Sequence, residues 1–583
     1  MMVIKCLIAL GILIGITTAA ENGFPLSIIH INDFHARFEA TDTSGGTCGN
    51  EDQCIGGYAR TVYTVKRLLN EQKDYNPIYI NAGDSFQGTL WYNIGRWNVT
   101  QEFLNLLPAD AMTLGNHEFD HGVAGVVPFL ERINTTMLVA NMDCSLEPTM
   151  DGLYEKSTII ERDGRKIGII GVILETTYDL ANTGKLIFRN ESDAIKEEAQ
   201  LLKAQGANII IVISHCGYDV DQVIAANAGE WIDVIVGSHS HTFLYTGEAP
   251  GPERPAGDYP TEVIHSSGHR VLIVQASAYA RYVGNITVYF DDNGDVLDYE
   301  GAPLYMGVDV PEDDEILNAL KPWQDELKDI ANRPVGESRV YLQQAECSRG
   351  ECNLGNFYTD AMLYAFIKYA SSGANNWSNV TIALTTQGNF RVPIPAGNIT
   401  YNQLVAMCPW ENRLIALTLR GQYLWDLLED CVAPMNSSAL APRSSRLLQV
   451  SGLRIKYDLT LSIGHRVVSV QARCSDCQVP GYFPLDLNKN YRLVVMDYLA
   501  NGKNSHSLIS DNAEDLEFVF NFCIQFLYYY IFHMQIGSSR FGCTYGLYEH
   551  TGTNNYWTRA KISIYPSPLL TYLPVLIPFE LKV

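Results

Sequence analysis

Leu26-Ser-Ile-Ile-His-Ile31 is an apolar run that stops in Asn32-Asp33-Phe34-His35. A short apolar run ending in polar residues reads as a buried strand. The aspartate and histidine just past its end therefore stand at the carboxyl edge of a sheet. The arrangement recurs along the first half of the chain. Pro77-Ile-Tyr-Ile80 leads to Gly83-Asp84, the run 207–213 leads to Ser214-His215, and the run 232–236 leads to Gly237-Ser238-His239-Ser240-His241. Gly115-Asn116-His117-Glu118-Phe119-Asp120 is a fifth segment of the same kind. Further runs at 137–140, 166–173 and 271–274 alternate with amphipathic stretches at 58–70, 123–133 and 193–205. This alternation predicts an α/β domain. Polar groups at the carboxyl ends of its strands converge on the crevice where open α/β sheets bind ligands.

Any one of these residues alone reads as a turn, a helix cap or a satisfied core histidine. Five segments in one half of the chain are a ligand set. His265, His269, His465, His506, His533 and His550 have no such setting, and His30 and His121 lie beside the motifs without an assignment. Imidazole together with carboxylate suits zinc, manganese or iron, whereas magnesium or calcium prefers oxygen ligands. A pair of such cations needs a bridging carboxylate and can generate hydroxide near neutral pH. The central Asp84 is the natural bridge.

The chain has 583 residues, enough for several domains. Lys plus Arg number 41 and Asp plus Glu 65, a net charge of −24, with no basic block to bind a nucleic-acid backbone. Nucleic acid is thus not an expected partner. Apolar residues at 47% and charged residues at 18% mark a globular composition. Residues 1–20 combine Lys5, an apolar stretch from Cys6 to Ile16 and small residues up to Ala20, which reads as a signal peptide. Secretion is consistent with eight Asn-x-Ser/Thr acceptors, at Asn98, Asn134, Asn190, Asn285, Asn376, Asn379, Asn398 and Asn436. In an oxidising compartment the close pairs Cys48/Cys54, Cys347/Cys352 and Cys474/Cys477 read as short-loop disulfides, with Cys408 and Cys431 a candidate fourth pair.

The ordered motifs Asp33-x-His35, Gly83-Asp84-x-x-x-Gly88-Thr89, Gly115-Asn116-His117-Glu118-x-Asp120, Ser214-His215 and Gly237-x-His239-x-His241 resemble those of the calcineurin-like metallophosphoesterases. The likeness is closer still to secreted and surface 5′-nucleotidases, including arthropod apyrases, and spans about residues 24–510. The resemblance implies an N-terminal αββα metallophosphoesterase sandwich at 21–310, a linker helix at 311–334 and a C-terminal α/β 5′-nucleotidase domain at 335–515. It also implies two divalent cations, with zinc expected and manganese the alternative. Asp33, His35, Asp84 and His241 would hold one; Asp84, Asn116, His215 and His239 would hold the other. His117 and Asp120 would form the catalytic dyad.

By the same resemblance the C-terminal domain binds the nucleoside between two rings, at Trp410 and Tyr498, and clamps phosphate with arginines, at Arg349 and Arg391. Asn504 replaces an aspartate expected to hold the ribose. The loop Thr386-Gln-Gly-Asn389 before Arg391 lacks two of the family's glycines. Residues 516–583 depart from the family and form an atypical tail, leaving membrane attachment open, as is a homodimer. The leading expectation is a secreted or cell-surface 5′-nucleotidase that converts AMP to adenosine and phosphate. The alternatives are an apyrase acting on ATP and ADP, a nucleotide-sugar hydrolase, or a nucleotide-scavenging binder with little turnover.

Overall fold

The computed structural model describes residues 23–48, 53–369, 378–435, 444–477, 479–503 and 505–520, together with 527, 530 and 531. The segment 1–20, nearly all of the tail beyond 520, and Asn376, Asn436 and Asn504 lie outside the described residues. The chain divides into two compact units between Glu326 and Leu327, within the helix Asp314–Ala331.

The first unit is built on two six-stranded sheets. One is ordered Val296–Gly301, Tyr282–Phe290, Phe24–Ile31, Ile78–Asn81 and Ala111–Met112, with Leu304–Tyr305 beside Tyr282–Phe290. The other is ordered Thr261–Ile264, Arg270–Val274, Val234–Val236, Ile209–His215, Arg165–Ile173 and Ser157–Arg162. Strand alternation explains their stacking. Leu26 and Ile28 join Ile80, Ile167, Ile211 and Val236 in a core shared by the two sheets. Ile29 and Ile31 face the other way, onto Val65 and Leu68 of the helix Tyr58–Glu71. On the far side, Ile170, Val212 and Ile235 pack against Ile195 and Leu202 of Glu191–Ala204 and Ile224 of Tyr218–Ala228. The result is the αββα sandwich. The run 137–140 makes only isolated bridges, Met112 with Met137 and Leu138 with Glu155, rather than a strand of its own.

His30 points into the shared core, where its Nε2 lies 3.0 Å from the Tyr259 hydroxyl and burial pushes its pKa down to about 3. It is a neutral packing residue.

The second unit contains a five-stranded mixed sheet ordered Leu448–Ser451, Ile382–Thr386, Asn490–Met496, Leu414–Arg420 and Glu514–Phe520. The helix Gly421–Val432 packs Leu424, Leu427 and Leu428 into the same core as Leu384, Leu417 and Leu493. The domain end expected at 515 falls inside the edge strand Glu514–Phe520, which pairs antiparallel with Leu414–Arg420.

Disulfides join Cys48 to Cys54, Cys347 to Cys352 and Cys474 to Cys477. The fourth bridge expected between Cys408 and Cys431 is not formed. Cys431 packs inside the core of the second unit with its Sγ 3.2 Å from Leu428 O, whereas Cys408 Sγ lies 3.4 Å from the Tyr358 hydroxyl.

Just before the strand Val234–Val236, buried Asp233 accepts a hydrogen bond from Ile210 N at 2.7 Å and pairs with His269 Nε2 at 2.9 Å. Asp295 lies 3.3 Å from the other ring nitrogen. The hydrogen bond to Asp233 raises the His269 pKa against the opposing effect of burial. A cationic histidine stabilises the fold fully below its unfolded pKa, and that contribution fades as pH rises through the higher folded value. His269→Ala should therefore cost about 1–3 kcal/mol at pH 6, with the deficit shrinking toward pH 9. Urea denaturation at the two pH values measures it, and a deficit independent of pH would show that charge is not what His269 contributes.

Candidate metal centre

The five motif segments follow strands whose parallel pairing brings their carboxyl ends to one edge. Phe24–Ile31 is parallel to Ile78–Asn81, which is parallel to Ala111–Met112. In the second sheet Arg165–Ile173, Ile209–His215 and Val234–Val236 run parallel to one another. Two groups of side chains offer ligand atoms all within 4.8 Å of one another: Asp33, His35, Asp84 and His241, and Asp84, His215 and His239. Asp84 belongs to both.

The distances tie the groups together. His215 Nε2 lies 3.2 Å from Asp84 Oδ2 and His35 Nε2 lies 3.7 Å from it. His241 Nε2 is 3.4 Å from Asp33 Oδ1 and 3.1 Å from His35 Nε2. Asn116 Oδ1 sits 2.9 Å from His239 Nδ1. His117 Nδ1 is 3.0 and 3.1 Å from the two oxygens of Asp120, while its Nε2 lies 4.0 Å from Asp84 Oδ2. The candidate ligands and the candidate dyad thus occupy one crevice.

The backbone that presents these groups is unusual. Asp33, His35, Asp84, His239 and His241 all have positive φ, a conformation that costs a non-glycine residue free energy and persists only where its surroundings hold it. Here the loops hold each other: Asp33 N–H donates to Gly83 O, His35 N–H to Asp84 O and His239 N–H to the Asp33 carboxylate. Asn32 Nδ2 donates to Asp33 Oδ2 at 2.8 Å. Gly115 admits no side chain, because a Cβ there would lie 2.1 Å from Asp84 Oδ1.

The donor set fits divalent cations. Asp33 and Asp84 are buried carboxylates in a single crevice. Burial pushes Asp33 up to about 7, reinforced by the like charge of Asp84 and opposed by His215. Burial works in the same sense on Asp84, but His215, His117 and His35 together hold it well below the usual carboxylate range. His215 is pushed up to about 10, since Asp84 and Asp33 outweigh the burial that would lower it. Without another cation the crevice balances its charge with protons, on His215 and in part on the Asp33 carboxyl. The orientation suits a metal instead: His215 Nδ1 points at Ala82 O at 2.8 Å, and the buried Nε2 is turned toward Asp84 Oδ2 at 3.2 Å. His35 Nδ1 likewise faces Phe86 O at 3.2 Å, leaving Nε2 toward the carboxylates. A ring nitrogen engaged on a carbonyl is how a protein fixes a metal-binding histidine.

Two neighbours carry no assignment from the sequence. The Tyr279 ring packs on His35 and His241 with centroids 5.6 and 5.2 Å away, and takes the Arg37 guanidinium at 4.2 Å. It lies in no motif, so no spacing signals it. His121, unassigned in the sequence, contacts the Tyr92 hydroxyl at 3.1 Å and Arg96 at 2.5 Å.

In the second unit, Arg391 stacks its guanidinium 4.7 Å from the centre of the Trp410 ring, and Trp410 Nε1 donates to Asn389 O at 3.0 Å. Tyr498 follows the strand Asn490–Met496 and packs against the core. Arg413 N–H donates to Asp497 Oδ1 at 3.1 Å, which ties the loop after Trp410 to the one before Tyr498. Arg349 lies in the loop closed by Cys347 and Cys352, 3.0 Å from Glu346, and Gln449 braces that loop at Cys347 O and Gly350 O.

Paired sheets with two ligand groups sharing one carboxylate have the donor set of a metal-dependent hydrolase. The comparisons with known proteins make the class specific. Residues 26–243 match the calcineurin-like phosphoesterase family and residues 334–510 the C-terminal domain of 5′-nucleotidases. An apyrase of Tabanus yao is 48% identical over 85% of this chain and 89% of its own length. The 5′-nucleotidase of Mus musculus is 34% identical over 84% and 85% respectively. The solved structure of a 5′-nucleotidase precursor from Thermus thermophilus superposes with a TM-score of 0.77 at 34% identity, covering 87% of this chain and 96% of that one. The chain belongs to the 5′-nucleotidase family of calcineurin-like phosphoesterases and is a metal-dependent hydrolase.

Gly115→Ala tests the packing of the shared carboxylate. The added methyl displaces Asp84, so metal content should fall below two per chain and phosphate release by about 10- to 100-fold, with the fold retained by circular dichroism. Two bound cations and normal turnover in the variant would show that Asp84 does not depend on this contact.

Proposed function

We propose that the protein is an extracellular nucleotidase that releases phosphate from nucleoside 5′-monophosphates, AMP foremost, with two zinc ions, manganese being the alternative. The observation that carries this reading is Asp84, common to two ligand groups beside the His117–Asp120 pair. Asp33, His35, Asp84 and His241 would hold one cation, and Asp84, Asn116, His215 and His239 the other. Bound there, two divalent cations supply charge to the phosphoryl oxygens and acidify the attacking water.

The residues of the chain do the rest. Asp120 holds His117 through Nδ1, so Nε2 is the atom turned toward the reacting centre. From there it gives a hydrogen bond to the transferring group and a proton to the departing oxygen. We assign nucleoside stacking to Trp410 and Tyr498 and phosphate contacts to Arg391 and Arg349. The Arg391 guanidinium lies 4.7 Å from the centre of the Trp410 ring, which puts the two assigned groups side by side. A second reading, hydrolysis of ATP and ADP, is favoured by the 48% identity to a relative named apyrase. An extracellular setting is supported by the signal-like segment 1–20, three disulfides and exposed acceptors at Asn98, Asn134, Asn190, Asn379 and Asn398. Among the described residues no helix is long and apolar enough to cross a membrane.

Phosphate release measured separately from AMP, ADP and ATP, before and after chelation, decides between the readings. Loss with chelator and recovery with zinc or manganese is expected, with AMP the best substrate. Undiminished release from protein shown to be metal-free would overturn the mechanism, and release from ATP and ADP alone would establish the second reading.

The two halves of the proposed machinery separate kinetically. His117→Ala should mainly lower kcat with metals still bound. Trp410→Ala should mainly raise KM for AMP, lowering kcat/KM by roughly 5- to 150-fold for a stacking loss of ~1–3 kcal/mol, and spare a small aryl phosphate. Equal losses on both substrates would make Trp410 a core residue instead.

A further inference from the structure

Glu118 is fully buried among the metal-ligand loops, yet it belongs to neither ligand group. Its two oxygens each accept two backbone N–H groups. Oε1 takes Ser85 N at 2.8 Å and Phe86 N at 3.0 Å; Oε2 takes Gly115 N at 2.6 Å and Asp84 N at 3.1 Å. Three consecutive amides, of residues 84, 85 and 86, therefore converge on one carboxylate. Such a run of amides forms an anion-binding concavity, and here the anion is the protein's own.

Three of the four bonds join two segments, and the fourth, from Gly115 N, closes within the second. One carries Asp84, whose φ of 53° is unfavourable for a side-chain-bearing residue. The other is the turn Asn116–Phe119, which carries Asn116 and His117 as well as Glu118 itself. A further bond runs back between them, from His117 N to Asp84 Oδ1 at 2.9 Å. With Oδ1 occupied in this way, Oδ2 is the oxygen left facing His215, His35 and His117. A carboxylate that serves two cations must be placed accurately toward both, and Asp84 has no regular strand or helix around it to do so.

We propose that Glu118 is the positioning residue of this centre: its carboxylate, acting as an internal anion, locks the Asp84 loop to the Asn116–His117 turn and so sets both cation sites and the dyad together. The inference rests on the two-cation reading given above. It assigns Glu118 no part in binding substrate or metal directly.

Glu118→Gln is the test. The amide keeps the size and one accepting oxygen but turns an NH2 group toward two backbone N–H donors, so two of the four bonds are lost. Zinc affinity of the full-length protein, stripped of metal and titrated in competition with a chromophoric chelator, should fall by about 10- to 100-fold. Both sites should weaken together, and kcat should fall even at saturating zinc while KM changes little. Glu118→Asp restores the charge on a shorter stem and should recover affinity part of the way. A purely structural Glu118 would instead lower thermal stability and leave zinc affinity and kcat unchanged below the melting range; that result overturns the proposal. If Glu118→Gln does not fold, Glu118→Asp carries the test, and wild-type zinc affinity together with wild-type kcat in it overturns the proposal equally. A wild-type protein that binds no pair of zinc ions would instead overturn the two-cation reading, which the same titration reports separately.

Discussion

The structure depends on placing two buried carboxylates, Asp33 and Asp84, in one crevice where their mutual repulsion is weakly screened. Left alone they would disfavour the fold. Histidine rings from their own and neighbouring loops surround them, and His215 and Asp84 show in opposite directions how strongly the charges interact. Divalent cations resolve the same conflict with more charge and with fixed direction. The left-handed backbone at Asp33, His35, Asp84, His239 and His241 fits this account: each loop is held by its neighbours, so the centre is assembled as one hydrogen-bonded unit.

That unit is possible because of what lies beneath it. The parallel strands end side by side on a sandwich whose interior is almost wholly aliphatic. Rigid strand ends leave only a short stretch of loop in which to aim each side chain. Glycine at 83 and 115 lets the loops approach to distances a Cβ would block. Fold and chemistry are therefore coupled through close backbone contact rather than through any single strong bond.

Much of this was legible in the residues before the structure. Apolar runs followed at once by Asp33, Asp84, His215 or His239 carry their own location, since a strand end and a crevice are the same place in an α/β sheet. The helix 193–205 and the helix 58–70 follow from periodicity, and lie within two residues of Glu191–Ala204 and Tyr58–Glu71. What was hidden is contact between segments far apart in sequence. Glu118 reads as one more acidic residue until the amides of Asp84, Ser85 and Phe86 are seen to face it. Tyr279 sits in no motif, and the stacking of Arg391 on Trp410 joins residues 19 apart without periodicity. The pairing of Cys408 with Cys431 failed because spacing says nothing about which side of a core each thiol faces. The strand Glu514–Phe520 was missed since a stretch rich in Glu and Asp carries little strand signal until Leu414–Arg420 is there to pair with it.

The central claim is that Asp84 lies between two cations, and anomalous diffraction at the zinc edge from crystals of the zinc-loaded protein tests it most directly. Two peaks are expected ~3.5–4 Å apart, with Asp84 within bonding distance of both, Asp33, His35 and His241 around one, and Asn116, His215 and His239 around the other. A single peak, or two peaks that do not share Asp84, would contradict the account.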